Sequence, residues 1–309
     1  MKHKSLIVVG TIILLSTAML ALSACTPKEA NQSAGKMTVA VSIPPEATFV
    51  EKVAGDLVNI VTIIPPGNSP ANYQPTTTEM QALSDAAVYF VMQMPTEEAN
   101  ILPKVTDFNA NIKIVNLREA VSAVYPLREM DAHSDGDEGE VLVTTADGKT
   151  VDPHIWLSPK RVIVMVETIR DTLSEMDPAN ADLYAANAAA YIAELTDLDT
   201  QIAGVVAGMD NKAFMIYHGA YGYFADDYGL TMITLEVDGK APSATVMAAA
   251  VDQAKADHIK HIFYQEEFDD HQAKTIAEEI GGTVVEARPL AADYTAALLE
   301  FADALAAKE

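Results

Sequence analysis

The architecture of this chain depends on residues 177–208, which read DPANADLYAANAAAYIAELTDLDTQIAGVVAG. Asp177 and Pro178 start a helix in the favoured way, with Asp at the N-cap and Pro at the first helical position. Neither Pro nor Gly follows until Gly204, and apolar side chains recur at helical spacing: Leu183, Ala186, Ala190, Ile192, Leu195, Leu198, Ile202 and Val205. A helix of about 27 residues is roughly 40 Å long, so we predict one rigid connecting helix. An isolated coiled-coil hairpin is the alternative.

Short β-rich runs alternate with helical runs on both sides of this stretch. The runs predicted as strands are 37–43, 58–64, 88–91 and 112–116 before it, and 213–217, 231–235, 261–264 and 283–286 after it. Strands that alternate with helices favour parallel sheets with helices on their faces. We therefore predict an α/β fold with two lobes, 37–176 and 209–309, each a roughly four-stranded parallel sheet flanked by helices, joined by the long helix 177–208.

The first 24 residues have the pattern of an export signal. Lys2 and Lys4 precede the apolar run 6–22, and small residues lead up to Cys25, the one cysteine of the chain. A single cysteine excludes intramolecular disulfides. The ending Leu-Ser-Ala-Cys resembles the bacterial lipobox, which implies a lipid on Cys25 and a flexible tether over 25–36. An ordinary signal peptide or a membrane helix is the alternative.

Composition limits the partners of the chain. Half of the 309 residues are apolar, as expected of a globular protein, and the formal net charge is −24. Such a charge repels nucleic acid and anionic lipid, so we expect no nucleic-acid partner. The acidic segment 130–150 interrupts the alternation of strands and helices, and we expect an exposed loop or a small hairpin there.

Two histidines stand where ligand-binding residues are expected. His154 lies in DPHIWLSP, residues 152–159, and His218 lies in YHGAYGYFA, residues 217–225, directly after a predicted strand. The carboxyl ends of parallel strands are where α/β sheets place their ligands. Neutral imidazole suits a transition metal, although either side chain could instead be a hydrogen-bonded structural histidine.

These two motifs, together with Tyr228-Gly-Leu230, closely resemble the zinc and manganese solute-binding lipoproteins of bacterial ABC importers, the cluster A-I binding proteins. The resemblance covers essentially all of the chain after the signal. It implies a monomeric, extracytoplasmic, lipid-anchored protein without enzymatic activity. Such a protein passes zinc or manganese to a membrane permease and its ATPase. It also implies that His154 and His218 are metal ligands.

The chain departs from the family pattern at two other ligand positions. In Pro70-Ala-Asn-Tyr-Gln-Pro-Thr76 the resemblance places a histidine where Ala71 stands, and Arg288 lies at or beside the place of a late acidic ligand. Other side chains could complete the metal site, because zinc takes four ligands, or three and a water. Our first choice is Glu267, which follows a predicted strand. The other cleft candidates are Tyr73, Gln265, Glu236 and Arg288, and Glu97 and Glu98 could enter from the first lobe.

Two further functions stay open on the sequence alone. The same scaffold could bind an organic or chelated anionic solute, with the Arg288 guanidinium as the anion clamp and a degenerate metal site. A metallohydrolase with Glu267 as base would be an enzyme of a different class. No His-Glu-x-x-His or Gly-x-Ser-x-Gly pattern supports the hydrolase.

Overall fold

Two four-stranded sheets, both wholly parallel, form the framework of the computed structural model. The structure describes residues 35–130, 150–236, 242–268 and 270–307. The predicted signal, Cys25 with nearly all of its tether, and residues 131–149 of the acidic segment lie outside the described residues. No helix within the described ranges is long and apolar enough to cross a membrane.

The first sheet has the strand order β2-β1-β3-β4. Its strands are β1 (Met37–Val41), β2 (Val58–Thr62), β3 (Val88–Val91) and β4 (Lys113–Asn116), and its helices are α1 (Pro44–Ala54), α2 (Thr77–Ser84), α3 (Leu102–Phe108) and α4 (Leu117–Ser122). All four residues of the central strand β3 are buried, because helices cover both faces of the sheet. All four strands predicted in this half are present.

The second sheet repeats the pattern with the order β10-β9-β7-β8. Its strands are β7 (Ala213–Ile216), β8 (Thr231–Thr234), β9 (His261–Gln265) and β10 (Thr283–Ala287), and its helices are α7 (Gly222–Tyr228), α8 (Ala244–Ala256), α9 (His271–Ile280) and α10 (Tyr294–Ala306). Helix α5 (Pro159–Met176) precedes this half. A short antiparallel pair of strands, β5 (Glu129–Met130) with β6 (Thr150–Val151), flanks the acidic segment in the sequence.

The long helix α6 runs from Ala181 to Ala207, 27 residues, after a short 3-10 turn at Pro178–Asn180. Asp177 does not cap it through a backbone amide as predicted. Its Oδ2 accepts hydrogen bonds from Asn180 Nδ2 at 2.7 Å and Tyr184 Oη at 2.9 Å. The buried side chains of α6 are Tyr184, Ala188, Tyr191, Leu195, Leu198, Ile202 and Val206.

The prediction of which side chains of α6 are buried was therefore wrong for the first half of the helix. Leu183, Ala186 and Ala190 are exposed, whereas Tyr184 and Tyr191 are buried. The two tyrosine rings lie in the core because α6 packs against α1 and α5 of the first lobe and against α7 and α10 of the second. One continuous hydrophobic core consequently extends through both lobes and the helix between them.

The strand orders fix where a ligand can bind. In each sheet the chain reverses its direction of winding once, between β1 and β3 and between β7 and β9. Open parallel sheets bind ligands at this switch point, outside the carboxyl ends of the strands. The loops that leave β7, β8 and β9 are therefore the first place to look for a functional site.

A proline at Ala190 should destabilise the protein by about 3 kcal/mol or more, because it removes one backbone hydrogen bond of α6 and collides with the preceding turn. The Ala190 side chain is exposed, so no packing is lost. Urea unfolding followed by circular dichroism at 222 nm measures the change, and Ala190→Gly is the matched control, with an expected cost of about 1 kcal/mol. Equal midpoints for Ala190→Pro and the wild type would contradict a packed, continuous helix.

Candidate metal site

The structure brings the two predicted histidines into contact. His154 lies in the loop between β6 and the short turn Ile155–Leu157, and His218 lies two residues beyond the end of β7. Their Nε2 atoms are 3.3 Å apart, and their ring centroids are separated by 5.1 Å. The two histidines are 64 positions apart in the sequence. Their Nε2 atoms nevertheless meet at the edge of the second sheet, where the direction of winding reverses.

A carboxylate is hydrogen-bonded to the Nδ1 atom of each ring. Asp152 Oδ1 lies 2.8 Å from His154 Nδ1 and also accepts the His154 backbone N–H at 3.0 Å. Glu236 Oε2, just past β8, lies 2.5 Å from His218 Nδ1. A carboxylate can only accept hydrogen bonds, so each ring, when it is neutral, carries its proton on Nδ1. Both Nε2 atoms are then unprotonated and face each other with their lone pairs.

The two facing Nε2 atoms favour a cation between the rings. Two lone pairs that face each other at 3.3 Å repel, and the repulsion ends when a proton or a metal ion lies between them. Two nitrogen ligands bound to tetrahedral zinc at 2.0–2.1 Å are separated by about 3.3 Å. The separation between His154 and His218 is therefore already the one that zinc requires.

Burial keeps His154 in the form that can bind a metal. Desolvation lowers its pKa below the ordinary value of a histidine, against the hydrogen bond and charge of Asp152, which raise it. Asp152 is fully buried and lies 3.4 Å from Arg128 Nη1. Because its pKa is lowered, His154 stays neutral and keeps its ligand atom free at physiological pH.

The histidines open into a cavity of about 100 Å³. Its lining comes from both lobes and includes Ala71, Met94 and Pro95 of the first half. Phe268 stacks on the His218 ring with centroids 4.9 Å apart, and Trp156 lies 5.2 Å from the His154 ring. The Trp156 indole N–H donates to the Pro289 carbonyl at 2.8 Å, which fixes one wall of the cavity.

Glu267 lines the same cavity. One of its carboxylate oxygens, Oε1, is buried without a hydrogen-bond partner, and desolvation raises the pKa of the group. A buried carboxylate oxygen without a partner is costly unless a cation or proton satisfies it. Within residues 35–130, 150–236, 242–268 and 270–307, no group of three or more His, Cys, Asp or Glu side chains is placed so that it could hold a metal ion. The two histidines are thus the donors that converge, and Glu267 lines the same cavity without completing a three-residue metal site.

The other predicted cleft residues have different roles. Gln265 also lines the cavity, but its amide holds the backbone of His218, accepting from the N–H at 3.2 Å and donating to the carbonyl at 2.6 Å. Glu236 orients His218, as described above. Tyr73 donates to Glu79 at 2.8 Å, and the Arg288 guanidinium pairs with Glu300 of α10. Neither Tyr73 nor Arg288 is among the described residues that line the cavity.

The two acids proposed to enter from the first lobe do not line the cavity either. Glu97 is fully buried inside that lobe, where it accepts from the backbone N–H groups of Met92 and Met94 at 3.1 and 2.8 Å and from the Ser42 hydroxyl. Burial raises its pKa to about 7. Glu97 therefore fixes the loop after β3, from which Met94 and Pro95 reach the cavity.

Sequence reasoning missed two residues that shape the site. Asp152 was quoted within the His154 motif but was given no role, although an acid two residues before a candidate ligand is a signal for a carboxylate–histidine pair. Phe268 gave no signal, because its ring contact with His218 depends on the turn that follows β9.

A comparison with models of protein families shows which family the chain belongs to. The family model described as "ZnuA: Zinc-uptake complex component A periplasmic" matches residues 39–308. The chain belongs to the ZnuA family. The solved structure described as "Crystal structure of ZnuA" is 33% identical, with a TM-score of 0.77, and the match covers 88% of this chain and 98% of that one. The predicted family and fold class are thereby confirmed.

Two curated metal-binding lipoproteins are also similar to this chain. The zinc-binding lipoprotein AdcA of Streptococcus pneumoniae (strain ATCC BAA-255 / R6) is 31% identical over 274 residues, 88% of this chain and 53% of that protein. The manganese-binding lipoprotein MntA of Halalkalibacterium halodurans is 32% identical over 186 residues, 60% of this chain and 55% of that protein. The chain thus spans about half the length of these curated relatives.

Proposed function

We propose that this protein is an extracytoplasmic solute-binding protein that captures a divalent metal ion, zinc or alternatively manganese, for import by an ABC transporter. The observation that carries the proposal is the pair of histidines whose Nδ1 atoms are hydrogen-bonded to Asp152 and Glu236, so that both Nε2 atoms converge at 3.3 Å. The zinc-binding and manganese-binding relatives support it.

The donor set favours zinc. Imidazole nitrogen suits zinc better than it suits magnesium or calcium, and zinc binds nitrogen and oxygen sites more tightly than manganese does. His154 and His218 supply two nitrogen ligands, and Glu267 supplies an oxygen ligand from the turn after β9. Ala71, on the first-lobe side of the cavity, cannot donate, so the fourth position stays open to an exogenous ligand.

Release to a membrane permease requires limited motion in this scaffold. Helix α6 packs against helices of both lobes, and this packing disfavours a hinge motion at the helix. We infer that the lobes move by small sliding of packed helices, which is sufficient to change the distance between Glu267 and the histidines. Permease and ATPase partners follow from the import role.

The two alternative functions, binding of an anionic solute and hydrolysis, are less well supported. An anion clamp by Arg288 is disfavoured because its guanidinium is paired with Glu300. AdcA is described as a zinc-binding lipoprotein, which supports metal capture rather than hydrolysis. Glu267 therefore acts as a ligand rather than as a catalytic base in our proposal.

Calorimetric titration with zinc at pH 7.5 tests the site. We expect His154→Ala and His218→Ala each to weaken zinc binding by more than 100-fold, and Asp152→Asn to weaken it by about 10–100-fold through loss of the orienting hydrogen bond. Glu267→Ala should also weaken it, and Ala71→His should tighten it by adding a donor. Affinity should fall in acid, because protonated imidazole cannot bind a metal.

His261→Ala is the matched control, since His261 is partly exposed on β9 and hydrogen-bonds to Thr283 rather than to the site. Its zinc affinity should equal that of the wild type. Unchanged affinity in both His154→Ala and His218→Ala would overturn the metal site and favour the organic-solute function.

The proposal includes a lipid anchor at Cys25, motivated by the Leu-Ser-Ala-Cys ending and by the lipoprotein relatives. Metabolic labelling with a fatty-acid analogue should mark the wild type in the membrane fraction, because the acylated cysteine holds the protein at the surface. Cys25→Ala should lose the label. A Cys25→Ala protein that keeps equal labelling would contradict the anchor.

A further inference from the structure

The loop after β3 has a strained backbone. Gln93 has a φ of +55°, in the left-handed region that residues other than glycine seldom adopt. The buried guanidinium of Arg118, on α4, donates from Nε to Gln93 Oε1 at 3.0 Å and from Nη1 to the Gln93 carbonyl at 3.2 Å. A residue stays in such a conformation only where its surroundings hold it there. The position of this loop therefore depends on its hydrogen bonds.

Glu97 supplies the other hydrogen bonds of the loop. Its Oε2 accepts from the N–H groups of Met92 at 3.1 Å and Met94 at 2.8 Å, the two residues that flank Gln93. Its Oε1 accepts from the Ser42 hydroxyl. Hydrogen bonds to an ionised acceptor are roughly twice as strong as those to a neutral one. The loop is consequently held most firmly while Glu97 is ionised.

The loop in turn positions one wall of the cavity at the histidines. The residues that line the cavity from the loops after β2 and β3, here called the first-lobe wall, are Ser69, Pro70, Ala71, Met94 and Pro95. Met94 and Pro95 belong to the strained loop itself. The next residue, Thr96, donates its backbone N–H to the Pro70 carbonyl at 3.1 Å. Both parts of the first-lobe wall are thus connected to the loop that Glu97 holds.

A second buried acid lies beside Glu97. Glu46 of α1 is fully buried, and its Oε2 accepts from the Ser42 N–H at 2.8 Å, whereas its Oε1 has no hydrogen-bond partner. Burial and the charge of Glu97 raise the pKa of Glu46 well above its ordinary value. Two neighbouring buried carboxyl groups resist joint ionisation. Glu46 therefore carries a proton, and Glu97, which accepts more hydrogen bonds, carries the charge.

The surroundings of Glu97 bring its own protonation close to neutral pH. Burial raises its pKa to about 7, against the hydrogen bonds that it accepts, which lower it. The charge of Glu98 in the same turn raises it further, and the buried cation Arg118 of α4 also interacts with Glu97. Tyr89 of β3 stays neutral because burial raises its pKa. The charged side chains of α3, the helix that follows this turn, are exposed.

Proton uptake by Glu97 weakens the hold on the loop. The N–H groups of Met92 and Met94 lower the pKa of Glu97, so a state of the loop without these bonds binds the proton more tightly. A proton therefore shifts the population toward that state. Strain at Gln93 acts in the same direction, because release of the loop relieves it.

We propose that Glu97 is a positioning residue, which fixes the first-lobe wall while it is ionised and lets this wall loosen when it takes up a proton. This inference rests on the proposed metal-binding function and adds proton-dependent release to it. With Glu97 ionised, the wall faces His154 and His218 and keeps water from a bound zinc ion. With Glu97 protonated, the wall loosens and water reaches the metal. No covalent bond changes apart from the one between the proton and the carboxylate.

The backbone N–H of Met94 reports on the loop without any metal. Residues 93–94 are the one Gln-Met pair of the sequence, so labelling glutamine with carbonyl ¹³C and methionine with ¹⁵N selects this amide by NMR. In the metal-free full chain we expect its signal to move between pH 8.5 and 5.5, with a midpoint near pH 7, and to stay in place in Glu97→Gln. A wild-type signal that does not move, or an equal movement in Glu97→Gln, would overturn the inference.

Zinc titration by calorimetry at pH 8 and pH 6 tests the consequence for binding. Glu97→Gln should bind zinc about tenfold more weakly than the wild type at pH 8, because the loop loses a charged acceptor. At pH 6 the two proteins should bind equally, since wild-type Glu97 is then also neutral. Protonation of the histidines weakens binding in both proteins and cancels from the ratio of their affinities.

Glu51→Gln, at an exposed position of α1, is the matched control and should equal the wild type at both pH values. An affinity ratio for Glu97→Gln that is the same at pH 8 and pH 6 would reduce Glu97 to a fixed structural role and overturn the inference, leaving the proposed function standing. Failure of the wild type to bind zinc at pH 8 would overturn the proposed function, and this inference with it.

Discussion

Two hydrogen bonds, from His154 Nδ1 to Asp152 and from His218 Nδ1 to Glu236, determine what the site can do. A carboxylate behind each imidazole fixes the position of its proton, and the opposite nitrogen is thereby left as a ligand atom. Without these carboxylates, either ring could rotate or place its proton toward the other. The pair would then be an ordinary hydrogen-bonded contact between histidines. In our proposal, the two acids therefore make the pair of histidines a binding site for a cation.

The scaffold supplies these four residues from separate loops. Glu236 and His218 leave the carboxyl ends of neighbouring strands β8 and β7, whose parallel register sets their distance. Asp152 and His154 come from the loop before α5, which packs on the long helix α6. Because α6 also packs on helices of the second lobe, the position of the His154 loop relative to the second sheet is fixed by core packing. Stability of α6 and geometry of the site are thus coupled.

Much of this architecture could be predicted from sequence, for physical reasons that differ between elements. All eight strands of the two sheets were predicted because runs of β-branched residues separated by helical periods have few alternative structures. The buried face of α6 was misplaced because Tyr184 and Tyr191 are amphipathic, and only tertiary packing decides whether such rings face the core. His154 and His218 were found from their motifs, whereas the contact of Phe268 with His218 and the pairing of Arg288 with Glu300 depend on side-chain directions that spacing does not encode.

The central claim is that both imidazoles of the metal-free protein carry their proton on Nδ1 and present a bare Nε2. Long-range ¹H–¹⁵N correlation NMR of the histidine rings at pH 8 measures this directly, since protonated and unprotonated ring nitrogens differ strongly in ¹⁵N shift. We expect Nδ1–H tautomers for His154 and His218, and a shift of both Nε2 signals when zinc is added. An Nε2–H tautomer at either ring would contradict it.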